Sequence, residues 1–124
     1  MSESARTLFA TAIGEAEQTA LLLDSSGAPL AGSYLDQSGR DISAEIGSAL
    51  SGVGKEVSRS MRLLSLGGWT ALVIETEAAT IALAPASQDA VVLLASSSTV
   101  PLGLVRRVLT RCIALAINWM SGRA

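Results

Sequence analysis

The string Gly52-Val53-Gly54-Lys55-Glu56 comes nearest, by residue type and spacing, to a recognisable chemistry. In a phosphate-binding loop, glycine amides cradle the phosphates, a lysine neutralises them and the next serine or threonine holds magnesium. Here Ala49 stands where the first glycine belongs and Glu56 where the hydroxyl belongs. The segment also reads as the interior of a helix, without the preceding strand that such a loop needs. Other catalytic chemistry has even less to build on. Histidine is absent, which removes the usual general base near neutral pH, the commonest transition-metal ligand and any triad built on imidazole. Asp24, Asp36, Glu75 and Glu77 fall at predicted strand ends and turns, without the paired spacing of acid and base catalysis. A lone Cys112 forms no internal disulfide and suits a reducing compartment. The expectation is a protein with no catalytic residue, no cofactor, no metal and no small-molecule substrate.

A row of small residues points to contact between macromolecules. Ala44, Gly47, Ser48, Ser51, Gly54 and Ser58 recur every three or four positions beside an apolar row. Glycine in a helix interior costs about 1 kcal/mol relative to alanine, and Gly47, Gly52 and Gly54 each incur that loss on this reading. Close approach of a second backbone offsets it, either from the same helix of a twofold mate or from the chain's own sheet. Trp69, Thr70, Ala71, Leu72, Val73 and Ile74 form an uncharged strand, and such an edge is either paired or an aggregation hazard. Arg59 and Arg62, and then Arg106, Arg107 and Arg111, read as solvated helix faces near favourable ends of the helix dipole. The last helix is apolar almost all round, with Ile113, Leu115, Ile117, Met120 and the anchor candidate Trp119, so it meets the first helix or a second protein.

Composition and periodicity define the frame that carries these residues. The 124 residues fit one domain, and 49% apolar against 16% charged leaves a surface short of solvating charge. Part of it should be covered by another copy or another protein. A net charge of −2 and few aromatic side chains argue against nucleic acid. Met1 to Ala12 lacks the basic start and long apolar core of a signal peptide. The run Cys112 to Ile117 falls far short of the roughly 18 residues that cross a bilayer. No membrane insertion is expected, and the cytoplasm is the expected location.

Leu8, Phe9, Ala12, Ile13 and Ala16 predict a helix over about 4–17. Strands follow at about 19–24 and 29–35 around an Asp, Gly and Pro turn, with Gly32 marking a bulge or a close approach. Ile42, Ile46, Leu50, Val53, Val57, Met61 and Leu64 predict one long helix over about 41–65, capped by Asp41. Three strands over about 69–76, 78–85 and 89–95 come next, the second ended by Pro85. A last helix over about 99–121 has Thr99 as its cap and Pro101 in its first turn. The result is a single-domain α/β sandwich, α-β-β-α-β-β-β-α, around a five-stranded antiparallel sheet.

Ala20-Leu21-Leu22-Leu23-Asp24-Ser25-Ser26-Gly27-Ala28-Pro29-Leu30-Ala31 is an apolar strand, an Asp-x-x-Gly turn and a second strand. Thr99-Val100-Pro101-Leu102-Gly103-Leu104-Val105-Arg106 leads into the last helix. In this order around a long middle helix, the two strings resemble the Roadblock family, the dynein-light-chain type of small α/β domain, over almost the whole chain. The resemblance implies a homodimer whose third strands join into a continuous ten-stranded sheet with the two middle helices side by side. Both the small-residue row and the uncharged strand named above fall where that dimer needs them. Bacterial relatives regulate a Ras-like GTPase in cell polarity and gliding motility, without inserting a catalytic arginine. The resemblance therefore implies a non-enzymatic regulator or scaffold for a small Ras-like GTPase, and a candidate GTPase-activating protein. The alternative is an adaptor that binds a second Roadblock protein or a motility complex. On this reading the polar residues Glu45, Lys55, Glu56, Arg59 and Arg62 of the middle helix face the partner.

Overall fold

Leu21-Leu22-Leu23 and Val91-Val92-Leu93-Leu94 are apolar on both faces of a pleated strand, so they belong at the centre of a sheet covered on both sides. In the computed structural model, which describes residues 1–14 and 18–122, they pair with each other. Strand β1 (Gln18–Asp24) lies antiparallel to β5 (Ala90–Ser97), with Leu21 opposite Leu93. Around this pair, β2 (Pro29–Gly32), β4 (Ala79–Ser87) and β3 (Leu72–Glu75) complete a five-stranded antiparallel sheet of order β2-β1-β5-β4-β3. A buried hydrogen bond of 3.1 Å from Gln18 Nε2 to Ser96 Oγ pins the register of the central pair.

The period of two sorts the apolar side chains into two cores. On one face Ala20, Leu22, Ala82, Val92 and Leu94 lie under helix α5 (Leu102–Ser121) and two short N-terminal helices, α1 (Glu3–Arg6) and α2 (Ala10–Ile13). On the other face Leu21, Leu23, Leu83 and Leu93 lie under α3 (Ser43–Leu50) and α4 (Val53–Leu63). Among the described residues no helix is long and apolar enough to cross a membrane.

Several elements differ from expectation. The first helix is two pieces, because the Thr7 hydroxyl turns back onto the Glu3 carbonyl and the chain dips to bury Phe9. Gly14, at φ 56°, ends the second piece, and the rest of the predicted helix, 15–17, lies outside the described residues. Strand β2 stops at Gly32, whose φ of 82° turns the chain where a Cβ would sit 2.2 Å from the Ala20 carbonyl oxygen. The middle helix is broken: Ser51 is extended and Gly52 is left-handed at φ 89°, so α3 ends and α4 starts afresh. Leu64, placed in the buried row, is 62% exposed. Ile42, not Asp41, stands at the cap, with no side-chain bond; the Asp41 carboxylate instead accepts from the Ser43 amide at 2.9 Å and from the Ser43 hydroxyl as the chain enters α3.

Pro85 does not end β4. The strand continues to Ser87, and its register against β5 shifts between Pro85 and Ser87, an irregularity that suits a residue with no N–H to donate. Strand β3 begins at Leu72, three residues later than predicted, because Ser65 and Gly67 in left-handed conformations redirect the chain and Trp69 is drawn toward α4. Helix α5 starts at Leu102 with Pro101 at its cap, since Thr99 is held in a turn by Ser97.

Cys112 sits wholly buried on the inner face of α5, and burial pushes its thiol up to about 11. Thiolate, the reactive form, is therefore scarce at neutral pH. Labelling with an aromatic disulfide is expected to proceed only at the rate at which the chain opens, and to accelerate with urea. Rapid stoichiometric labelling of native protein would contradict this placement.

Candidate functional site

The break between α3 and α4 opens a cleft at the end of the sheet. It holds about 590 Å³ and runs between the α3–α4 junction, the β1–β2 turn, the β4–β5 turn and Trp69. Its floor is apolar, formed by Leu23, Leu83 and Val91, with Leu50 and Val53 above. Lys55, Ser58 and Arg62 project along its α4 side. The Trp69 indole is fixed there by donation from Nε1 to Ser58 Oγ at 3.0 Å. Gly52 thus stands at the cap of α4 and Val53, Gly54 and Lys55 form its first turn, so the string starts a second helix and is not the interior of one long helix as its periodicity suggested.

The structure divides the row of small residues. Gly47 is buried against the chain's own hairpin, where a Cβ would fall 1.8 Å from the Gly27 carbonyl oxygen. At Gly54 an added Cβ would lie 3.3 Å from a Val91 methyl and 3.7 Å from Trp69 Cζ2. Ser58 is bound to Trp69, so the smallness of these three residues is used within the chain. Ala44, Ser48 and Ser51 are exposed. In the third-strand segment Trp69, Leu72 and Val73 are half-buried, and Thr70, Ala71 and Ile74 are exposed. Strand β3 forms one edge of the sheet, with β4 as its single neighbour. In the segment before it, Leu63, Leu64 and Leu66 are 74%, 62% and 67% exposed. Sequence reasoning passed over this leucine corner, although a Leu63-Leu64-Ser65-Leu66 run breaks the helical period and signals side chains without an inner face to enter.

The five predicted partner residues separate by charge pairing. Glu45 takes Arg40 at 3.2 Å and Glu56 takes Arg59 at 3.3 Å, both in solvent and each worth little. Lys55 and Arg62 make no ion pair among the described residues, and these two share the cleft. Arg106, Arg107 and Arg111 on α5 are likewise unpaired and surround a shallow hollow on the opposite side of the sheet.

Three aspartates shape the turns around this face. Asp24 Oδ1 accepts from the Ser26 hydroxyl at 2.7 Å and from the Ser26 and Ala28 amides, each at 2.9 Å. Asp36 repeats the pattern with Ser38 and Arg40. The serine hydroxyl is the leading cause that holds Asp24, Asp36 and Asp41 below the ordinary carboxylate value of 3.8. With the folded value below the unfolded one, the unfolded chain binds more protons near that pH. Their contribution is therefore complete above about pH 4 and lost as pH falls through the folded values. Replacing all three by Asn is expected to flatten the acid limb of stability below that pH, measured as urea midpoint against pH. An unchanged slope would assign the acid limb to other carboxylates.

No curated protein matches the sequence. Solved structures match the fold. Myxococcus xanthus MglB superposes with a TM-score of 0.81 at 13% identity, over 97% of this chain and 97% of that one. The gliding protein MglB of Thermus thermophilus gives 0.74 at 19% identity, over 95% and 92%. A Roadblock/LC7 domain from Streptomyces avermitilis gives 0.76 at 12% identity, over 94% and 97%. The profile of the Roadblock/LC7 domain matches residues 17–96, the stretch from β1 through β5 that builds the whole sheet and the cleft, and the chain belongs to that family.

Proposed function

We propose that the chain acts in the cytoplasm as a homodimer that binds a small Ras-like GTPase and modulates its activity or location, in cell polarity or gliding motility. The observation that carries this reading is the open β3 edge with its exposed Ile74, together with the exposed leucines Leu63, Leu64 and Leu66 that precede it in the chain. An unprotected edge with apolar neighbours is satisfied by antiparallel pairing with a second β3. The exposed small residues Ala44, Ser48 and Ser51 extend the same interface along α3. Pairing of this kind joins two sheets and sets two α3–α4 faces side by side, which doubles the polar surface offered by Glu45, Lys55, Glu56, Arg59 and Arg62. The fold likeness to the gliding protein MglB supports a regulator in that setting. Modulation acts through binding, with no catalytic residue supplied by this chain.

The test is titration of the dimer against its cognate GTPase loaded with GDP or with a slowly hydrolysed GTP analogue. The GTP form is expected to bind at least tenfold more tightly. Equal, negligible affinity for both forms removes the reading. A second reading, an adaptor for another Roadblock protein or a motility complex, is favoured by the unpaired arginines of α5. They face away from α3 and α4, so one dimer has room for two partners. Glutamate at 106, 107 and 111 is then expected to abolish the second partner's binding and leave the GTPase bound.

A further inference from the structure

We infer that the cleft under the α3–α4 break is a ligand site for an organic anion with a planar apolar body, an aromatic carboxylate or sulfonate. Its volume of about 590 Å³ falls within the range of roughly 300–1,000 Å³ usual for small-ligand sites. Leu23, Leu83, Val91 and Trp69 supply the apolar contact such a body needs. The Ser58 bond holds the indole in place, so little side-chain freedom is lost when a ligand packs beside it.

Charge sets the orientation of the ligand. Lys55 and Arg62 are two helical turns apart, on one side of α4, about 10 Å along its axis at 1.5 Å per residue. Arg59, by contrast, faces its own carboxylate on Glu56. The opposite rim carries Asp24 and Asp89. Asp24 accepts hydrogen bonds from its turn through Oδ1 but stays a carboxylate, and with Asp89 it makes the wall facing α4 acidic and repellent to an anionic group. An anion therefore enters with its charged group toward α4. A bare phosphate leaves the apolar floor uncovered, and the string at Gly52 lacks the hydroxyl and the preceding strand of a nucleotide loop. The inference does not rest on the GTPase reading, but Lys55 and Arg62 belong to both surfaces, so a bound anion would compete with the GTPase there.

The test is titration of the full chain, carrying Trp119→Phe so that Trp69 is its one indole, with anilinonaphthalene sulfonate. One saturable site per chain is expected, with Trp69 emission quenched as the probe fills it. Lys55→Ala/Arg62→Ala is expected to weaken the probe at least tenfold with circular dichroism unchanged. The uncharged phenylnaphthylamine is expected to bind that variant and its parent equally. Arg106→Ala/Arg107→Ala/Arg111→Ala serves as control and should leave the affinity unchanged. The inference is overturned by absence of a saturable site, by equal anion affinity in the Lys55/Arg62 variant, or by loss in the α5 variant. Binding that appears only after dilution to monomers also overturns it, because a second copy would then be the occupant.

Discussion

Gly47→Ala should lower the stability of the folded chain by about 3 kcal/mol, the upper end of the usual overpacking cost. The added methyl would lie 1.8 Å from the Gly27 carbonyl oxygen, and in return a Cβ on Gly27 would lie 2.2 Å from the Gly47 oxygen. Both obstacles are backbone, so no rotamer change relieves the clash and either α3 or the β1–β2 turn must move. Two other glycines provide the scale. Gly52→Ala meets nothing within 4 Å and suffers only the left-handed φ of 89°, about 1–2 kcal/mol. Gly54→Ala gains up to about 1 kcal/mol of helix propensity, set against a Val91 methyl at 3.3 Å, and should be near neutral. Urea midpoints at one protein concentration give the order directly. A Gly47 variant no less stable than the Gly52 variant would refute the backbone contact.

Leu66→Lys/Ile74→Lys is expected to raise the dimer dissociation constant at least 100-fold, equivalent to about 2.7 kcal/mol. In the proposed dimer these side chains lie beside the twofold axis, where like charges from both copies would face each other at close range. In the single chain they are 67% and 42% exposed, so the monomer should keep its stability within about 0.5 kcal/mol. Sedimentation velocity across a concentration series separates the two effects. A variant that stays dimeric with unchanged affinity would remove the β3 edge from the interface.

Strand content, antiparallel order and the two-sided core were legible because Leu21 to Leu23 and Val91 to Leu94 have no polar face to expose. The break at Ser51 and Gly52 was not legible, for a specific reason. Leu50 and Val53 are three residues apart, so the apolar row keeps its period across the interruption and two helices read as one. The N-terminal segment conceals its break in the same way, with buried Ala5 before it and buried Ala12 after it, in step at helical spacing. Small residues on the middle helix were correctly read as marks of close approach. Which backbone approaches is a question of tertiary structure, and at Gly47 the answer is the chain's own turn. The cleft was out of reach because its rim is assembled from four separate segments, none unusual alone.

The pairing of β1 with β5 has a consequence for synthesis on the ribosome. Strands β3, β4 and β5 form a meander whose neighbours are close in sequence, and β1 with β2 is a local hairpin. The hairpin meets the meander only through contacts such as Gln18 with Ser96, 78 residues apart. Closing so long a loop is slow, and until it closes the leucines of β1 have no partner on one side. The emerging chain must keep an apolar hairpin waiting until nearly all of the domain is made, so that hairpin is the segment most exposed to chaperones and to misassembly.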